Sequence, residues 1–529
     1  VTEFSTRTIP FPAIPQFSKL FIDYIAEAPS LKDLYSFHFS DKGYSEAVAN
    51  NSYDENIRSV LVNVIREQYE KTGIAAPEDL LKDLAKEKAL TVCTGHQLCL
   101  FTGPLYFIYK IISAIRVAEE QSKKTGRKII PVYWMASEDH DFEEISSANL
   151  YGKTVSWKEN AGGAAGRLKT DSLSSVLAEI KLLMGENEPA DNLFRLFSQA
   201  YRPGRTIAQA TRELVHELFK GKILVIDPDD ARLKKFFIPV FQKDIFENAA
   251  EKYVSETATK LDTLQYSIQV NPRKINVFYL GENFRERIEE KEGKYHVLNS
   301  SLSFSKEELQ KEIEAHPEKF SPNVILRPMY QQVILPNIAY VGGPGEIAYW
   351  LEYRSAFEQF KISFPVLQPR NFAIILEKHT AEKIQKLGLA VEDFFGDTEE
   401  LIKNYVKKIS GDSLSLENEK EIIRKTFESI REKMLAADPT LKGAADAELQ
   451  KQVNGIENME GKLLKASKQK QETSVAQIRK LKEKILPSGI LQERYENFIP
   501  FYLKYGPALM DELQAAFKAA NGLVVLSEK

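Results

Sequence analysis

The stretch Thr91–Lys110, TVCTGHQLCLFTGPLYFIYK, sets the reading of the whole chain. It carries two Thr-Gly pairs eight residues apart, Thr94-Gly95 and Thr102-Gly103, with His96 and Cys99 between them and Cys93 just ahead. An apolar run from Ala89 to Val92 leads in, and apolar side chains recur at helical spacing after Pro104. Strand, glycine-bearing turn and helix in this order place backbone N–H groups and a helix N-terminus around an anionic ligand. The stretch therefore predicts one βα unit of a parallel sheet, with a candidate site at its turn.

Working outward, the next apolar run, Lys128–Trp134, reads as a second strand after a helix from Pro104 to about Gln121. Ile223–Asp227, Phe364–Leu367 and the start of IAYVGGPGEIAYW (Ile338–Trp350) supply further strands. Continuous apolar strands alternating with helices argue for a parallel sheet covered on both faces. Because these strands are far apart in sequence, the core is discontinuous. We read 1–75 as a cover segment, 76–144, 216–264 and 321–377 as three parts of the core, and 145–215 and 265–320 as insertions. The first insertion holds the turn AGGAAG. The second reads as a hairpin from INVFYL to KYHVL across a charged loop, GENFRERIEEKEG, then a helix with a Ser305–Glu308 capping box.

From 378 to 490 the pattern becomes heptad-like. Leu416, Ile423, Phe427, Ile430 and Met434 form one run. After Asp438-Pro439, Leu449, Val453, Ile456, Leu463, Val475, Ile478, Leu481 and Ile485 form another, interrupted by polar residues around Ser467–Ser474. Such spacing predicts two long helices in an antiparallel coiled-coil hairpin. Residues 491–529 read as a segment that packs back on the core or on the coil.

Composition narrows the function class. With 71 basic and 75 acidic residues the chain has no basic field of the kind that binds nucleic acid. It has no apolar run of membrane-spanning length and no leader-like amino end, so a cytoplasmic protein acting on small molecules is expected. Two cysteines cannot build a disulfide framework or a zinc site, and read as buried small apolar residues. Neither a G-x-x-x-x-G-K-[ST] nor an H-E-x-x-H motif occurs.

Chemistry concentrates after the second strand, in Glu138-Asp139-His140-Asp141. Four ionisable residues in succession belong in a loop at a strand's carboxyl end, where open α/β sheets bind ligands. The bland reading is a solvated acidic loop capping the next element. Against it, the loop lies one βα unit from His96, on the same sheet edge. Gly342, Gly343 and Glu346 open a third strand–turn–helix unit on that edge, although GGPG serves equally as a tight turn.

With these residues in view, the chain resembles the bacillithiol biosynthesis cysteine-adding enzyme family. The likeness is carried by TGHQLCLFTGPLYFIYK, PVYWMASEDHDFEEI, SPNVILRPMYQQVILPNIAYVGGPGEIAYW, PVLQPR and GILQERYENFIPFYLKYG, together with the opening IPFPAIPQFSKLFIDY. In that family the glycine segment usually reads TGQQ, whereas this chain has His96. The resemblance implies a Rossmann-like core with two connecting-peptide insertions, and a helical coiled coil through which two chains form a homodimer. It also implies addition of cysteine to glucosaminyl-malate in the last step of bacillithiol biosynthesis.

Amide formation from a carboxylate needs an activated acyl group, which points to ATP and Mg²⁺. On that expectation Thr94, Gly95 and His96 lie against phosphates, Asp139 or Asp141 holds the metal, and His140 or Asp139 acts as base on the amine. Gln97, Thr102, Gly103, Tyr106, Trp134 and Glu138 complete the expected substrate or adenine-nucleotide site, bordered by Gly342, Gly343 and Glu346. Two alternatives stand beside it: a nucleotide-binding scaffold without ligase activity, and a metal-dependent hydrolase built on the EDHD cluster.

Overall fold

The computed structural model describes residues 3–51, 53–159, 161–410, 415–518 and 521–529. The chain divides into two compact units, one formed by 1–375 with 493–529 and the other by 376–492.

The first unit is built on a five-stranded sheet of β1 (Leu90–His96), β2 (Ile129–Met135), β3 (Leu224–Ile226), β4 (Asn337–Gly342) and β5 (Val366–Pro369). Their spatial order is β5-β4-β1-β2-β3, and each adjacent pair is parallel. Almost every residue of these strands is buried, so they carry no polar–apolar alternation and both faces must be covered. Each buried Val or Ile contributes on the order of 1.5–3 kcal/mol, which makes this sheet the apolar heart of the unit. Helix α1 (Tyr106–Thr125) returns from the carboxyl end of β1 and stops at Gly126, whose φ of 67° is the left-handed conformation that ends a helix. Helix α2 (Pro344–Glu352) follows β4.

β1 departs from the sequence reading. The strand does not end at Val92 but continues through Thr94 and Gly95 to His96, opposite Tyr133, Trp134 and Met135 of β2. A strand flanked on both sides is held in register beyond its apolar run. Thr94 adds to this by donating its hydroxyl to the Val341 carbonyl of β4 at 2.8 Å.

The second Thr-Gly pair has a different use. Phe101, Thr102 and Gly103 have φ values of 51°, 71° and 68°, a knot that two non-glycine residues adopt at a conformational cost. Asn497, from the carboxyl-terminal segment, fixes it by donating Nδ2 to the carbonyls of Phe101 at 2.9 Å and Gly103 at 2.6 Å. Further along that segment, Leu523–Glu528 pairs antiparallel with Phe4–Ile9.

The insertions meet at the site edge. In the first, a hairpin of Ser147–Leu150 and Lys153–Ser156 precedes three helices, Ser174–Met184, Glu188–Ala200 and Ile207–Leu218. Its glycine-rich turn donates Ala165 N to the Asp139 carbonyl and Gly166 N to the Ser137 carbonyl, both at 2.7 Å. A Cβ on Gly162 would sit 2.2 Å from the Asn283 carbonyl oxygen, so this turn also abuts the second insertion and tolerates no side chain there.

The second insertion is more than a hairpin. Val277–Leu280, Arg285–Lys291, Lys294–Val297, Ser303–Phe304 and Phe320–Pro322 form a five-stranded antiparallel sheet. The expected charged loop is mostly its central strand: Arg285 and Ile288 are buried, so charge there marks an inward arginine instead of a solvated turn. The capping box at Ser305 and Glu308 opens helix Lys306–Ala315.

In the second unit, α3 (Glu417–Ala437) and α4 (Lys442–Lys470) form an antiparallel pair turned at Pro439, followed by α5 (Glu472–Ile485). The direction is fixed by ion pairs at both ends, Lys420–Glu460 at 2.7 Å and Arg431–Asp446 at 3.2 Å. Ile423, Phe427 and Met434 of α3, with Leu449, Val453 and Ile456 of α4, are partly or fully buried as the heptad reading requires. Ile430 and Leu463 are exposed and fall outside the seam. The helical run breaks at Gln471, inside the polar interruption seen in the sequence. Residues 411–414, within the expected helical stretch, lie outside the described residues.

Candidate active site

The carboxyl ends of β5, β4, β1 and β2 open onto one cavity of about 820 Å³, in a volume range that suits a drug-sized or larger ligand. Of the residues singled out in the sequence, Gly95, His96, Gln97, Tyr106, Trp134, Glu138, Asp139, Gly343 and Glu346 line it. Thr94, Thr102, Gly103, His140, Asp141 and Gly342 are not on its wall. The reason differs for each group. Thr94 and Gly342 are sheet residues, and Thr102 and Gly103 belong to the knot under Asn497.

The acidic loop splits at its middle. Glu138 is buried against Lys234, whose fully buried ammonium also reaches Asp229 at 3.1 Å and the Glu318 carbonyl at 3.1 Å. Burial pushes the Glu138 carboxyl up, and the Lys234 charge works against that push. Asp139 accepts Gln97 Nε2 at 2.9 Å through one oxygen and the His140 amide at 2.8 Å through the other. Burial would raise its carboxyl, but the hydrogen bonds from His140 and Gln97 and the Arg285 charge prevail and hold it well below the usual carboxylate range.

His140 is exposed, with Nδ1 accepting from Arg285 Nη1 at 2.9 Å over the Phe278 ring. Asp141 is the N-cap of the short helix Phe142–Ile145. Asp139 and Asp141 accept from different donors, and only Asp139 is on the cavity wall, so the two do not form a shared Mg²⁺ site there. Among the described residues, no group of three or more His, Cys, Asp or Glu side chains could hold a metal ion. The hydrolase reading built on EDHD has no geometric support.

His96 is not a donor to the cavity. Its Nδ1 lies 2.8 Å from the Gln97 carbonyl and so carries the proton, which leaves Nε2 to accept from the Tyr106 hydroxyl at 3.0 Å. Burial, with the Lys110 ammonium second, pushes its pKa down to about 4, so the ring is neutral at physiological pH. Both nitrogens are spent on neighbours.

The decisive cations were missed from the sequence. Lys110, 3% exposed, places its ammonium 2.8 and 2.7 Å from the two carboxylate oxygens of Glu346 and on the Gly95 carbonyl. Burial lowers the Lys110 pKa, and although burial would raise that of Glu346, the Lys110 charge beside it, with the Gly343 amide at 2.8 Å, lowers it. Arg370 pairs with the buried Glu493 and lies over the Tyr106 ring, beneath which Arg494 also approaches. Arg327 stacks on Tyr340. Arg327 Nη2 and Arg370 Nε are buried without a hydrogen-bond partner among the described residues.

The available sequence signal was a charge inside an apolar frame: Lys110 in FIYKII, Arg327 in VILRPM and Arg370 in VLQPR. Along the sheet edge the cavity is richer in cations near β4 and β5, with Arg327, Arg370 and Arg494 beside Glu346, and richer in carboxylates beyond β2, with Glu138, Asp139 and Glu144 beside Arg285.

The neutral His96 has a pH consequence. As pH falls below about 6.5 the unfolded chain protonates this ring while the folded chain does not, so its effect on stability is absent above that value and grows as pH falls toward 4. His96→Gln removes the titration. Denaturant titrations should show the wild type losing about 2 kcal/mol more than His96→Gln between about pH 7 and about pH 5. Parallel pH curves for the two proteins would mean that the folded ring titrates normally.

The family model of the bacillithiol biosynthesis BshC N-terminal Rossmann-like domain matches residues 4–371, and that of the BshC C-terminal coiled-coil domain matches 373–524. A Flavobacterium johnsoniae protein named "Putative cysteine ligase BshC" is 40% identical over 518 residues, covering 97% of this chain and 98% of its own. A Flavobacterium psychrophilum protein of the same name is 40% identical, covering 96% of both chains. Another from Salinibacter ruber is 32% identical, covering 98% of this chain and 97% of its own. Two domain models in series and full-length relatives at this identity place the sequence without ambiguity: the chain belongs to the bacillithiol biosynthesis BshC family.

Proposed function

We propose that this protein is a cysteine ligase that forms an amide between the carboxyl group of cysteine and the amine of glucosaminyl-malate, completing bacillithiol. The observation that supports this reading is the split charge of the cavity. A glucosaminyl-malate molecule carries two carboxylates at one end and an amine at the other. The dianion suits the side with Arg327 and Arg370, whose guanidinium groups line the cavity. The amine suits Asp139 and Glu144, which share Gln97 as a common donor.

ATP, in this reading, supplies the phosphoryl or adenylyl group that turns the cysteine carboxylate into an acyl donor. Arg494, exposed on the cavity wall, is the cation left for the phosphates, and Mg²⁺ would travel with them. Asp139, held below the usual carboxylate range, stays ionised and is a poor base. Its role is to orient the attacking amine. Glu144, exposed at the cavity rim, is placed to pass the released proton to solvent. Trp134 and Tyr106 exclude water from the reacting centre.

Incubation of the protein with cysteine, glucosaminyl-malate, ATP and Mg²⁺, followed by mass spectrometry, should reveal the thiol product, and Arg327→Met should raise KM for glucosaminyl-malate about ten-fold or more. A folded protein that binds nucleotide yet makes no product would favour the scaffold reading.

The second unit supports assembly with a second copy. Ile422, 63% exposed, and Met459, 58% exposed, lie on α3 and α4 with Ile430 and Leu463, an apolar surface that a two-fold interface would cover. Sedimentation should give a dimer for the wild type and a monomer for the Ile422→Asp, Met459→Asp double variant. A dimer in both would assign the interface elsewhere.

A further inference from the structure

One wall of the cavity has no regular structure. Residues 266–276 join helix Ala249–Thr263 to strand Val277–Leu280 without helix or strand, and Gln269, Val270, Asn271, Arg273 and Ile275 face the cavity. A strap of this kind moves unless something holds its backbone. Two fully buried carboxylates do so. Glu352, the last residue of α2, accepts the amides of Gln269 at 2.7 Å and Val270 at 3.3 Å. Asp244, on helix Ile238–Glu247, accepts the amide of Asn276 at 2.6 Å and its Nδ2 at 3.2 Å. Asn276 in turn accepts the Arg273 amide at 3.2 Å.

Neither carboxylate has a cationic partner among the described residues. Burial pushes Glu352 up to about 7 against only the pull of the two strap amides. Asp244 is likewise pushed to about 7, opposed by the Asn276 amide and side chain and the Ala250 amide, with nearby Glu251 adding to the push. Two buried acids without counter-charges are costly, and replacing them with apolar or amide residues would be the simpler way to fill the space. Their retained feature is the grip on each end of the strap. Between those ends stands Arg273, exposed to the cavity and without an ion-pair or hydrogen-bond partner for its guanidinium among the described residues.

We propose that the 266–276 strap is a substrate-contacting wall, with Arg273 binding an anionic part of the substrate and Glu352 and Asp244 acting as positioning residues that hold Arg273 at the cavity. This rests on the reading of the cavity as a site for a dianionic amino sugar. The guanidinium adds a cation from the second insertion to those supplied by the sheet edge, so the substrate is gripped from two parts of one compact unit.

The test combines calorimetric binding of glucosaminyl-malate with amide hydrogen exchange. Arg273→Ala should weaken binding at least five-fold and leave exchange at Gln269 and Val270 unchanged. Glu352→Ala should accelerate exchange there at least ten-fold and weaken binding, and Glu352→Gln, which keeps an acceptor, should recover part of both. Binding by Arg273→Ala equal to wild type overturns the proposal while leaving the function intact, as does a loosened strap in Glu352→Ala with unchanged affinity. A wild type that does not bind glucosaminyl-malate overturns the functional reading and this proposal with it.

Discussion

The ion pair between buried Lys110 and half-buried Glu346 is the interaction on which the site depends. A lysine ammonium placed among apolar side chains would forfeit its hydration for nothing unless a counter-charge met it. Here one carboxylate meets it through both oxygens, while the Gly95 carbonyl takes a further hydrogen. That single contact ties α1 to the end of β1 and to the first turn of α2. Glu346 then has an oxygen for the Gly343 amide and another for the Tyr340 hydroxyl, so the glycine turn after β4 is set by the same charge. Gly343 in turn lies against Arg370, where a Cβ would come 3.5 Å from its Nε. The order of causes runs from one buried lysine to the arginine side of the cavity.

The other half of the cavity is held by a second buried charge, Lys234, which neutralises Glu138 and Asp229 below the acidic loop. Above it the AGGAAG turn clamps the loop backbone at Ser137 and Asp139. The consequence is a carboxylate, Asp139, that faces the cavity with fixed direction and low proton affinity. Positions in both halves are fixed before a ligand arrives, which is what a condensation between two bound reactants needs.

The sheet was legible because its strands are continuous apolar runs, and burial on both faces leaves no other pattern available to them. The site edge was legible for a related reason: ionisable residues immediately after such runs, as in Asp139 and Glu346, can only sit where the strands end. The second Thr-Gly pair misled because a Thr-Gly turn and a left-handed knot have the same local sequence. What separates them is Asn497, nearly four hundred residues away. His96 misled in the same way, since its two nitrogens are satisfied by Gln97 and Tyr106 through backbone geometry that spacing does not encode. The arginines and Lys110 escaped notice because a cation in an apolar run reads as a surface residue until its partner, here Glu346 or Glu493, is brought beside it by the fold.

A double-mutant cycle on Lys110 and Glu346 bears most directly on this picture. Lys110→Met alone should cost about 1–3 kcal/mol, because it leaves the half-buried Glu346 carboxylate without its cation, and should weaken glucosaminyl-malate binding. Adding Glu346→Gln should return a substantial part of the stability, but not the binding. Strictly additive losses in stability, or full binding by Lys110→Met, would contradict the dependence of the cavity on this pair.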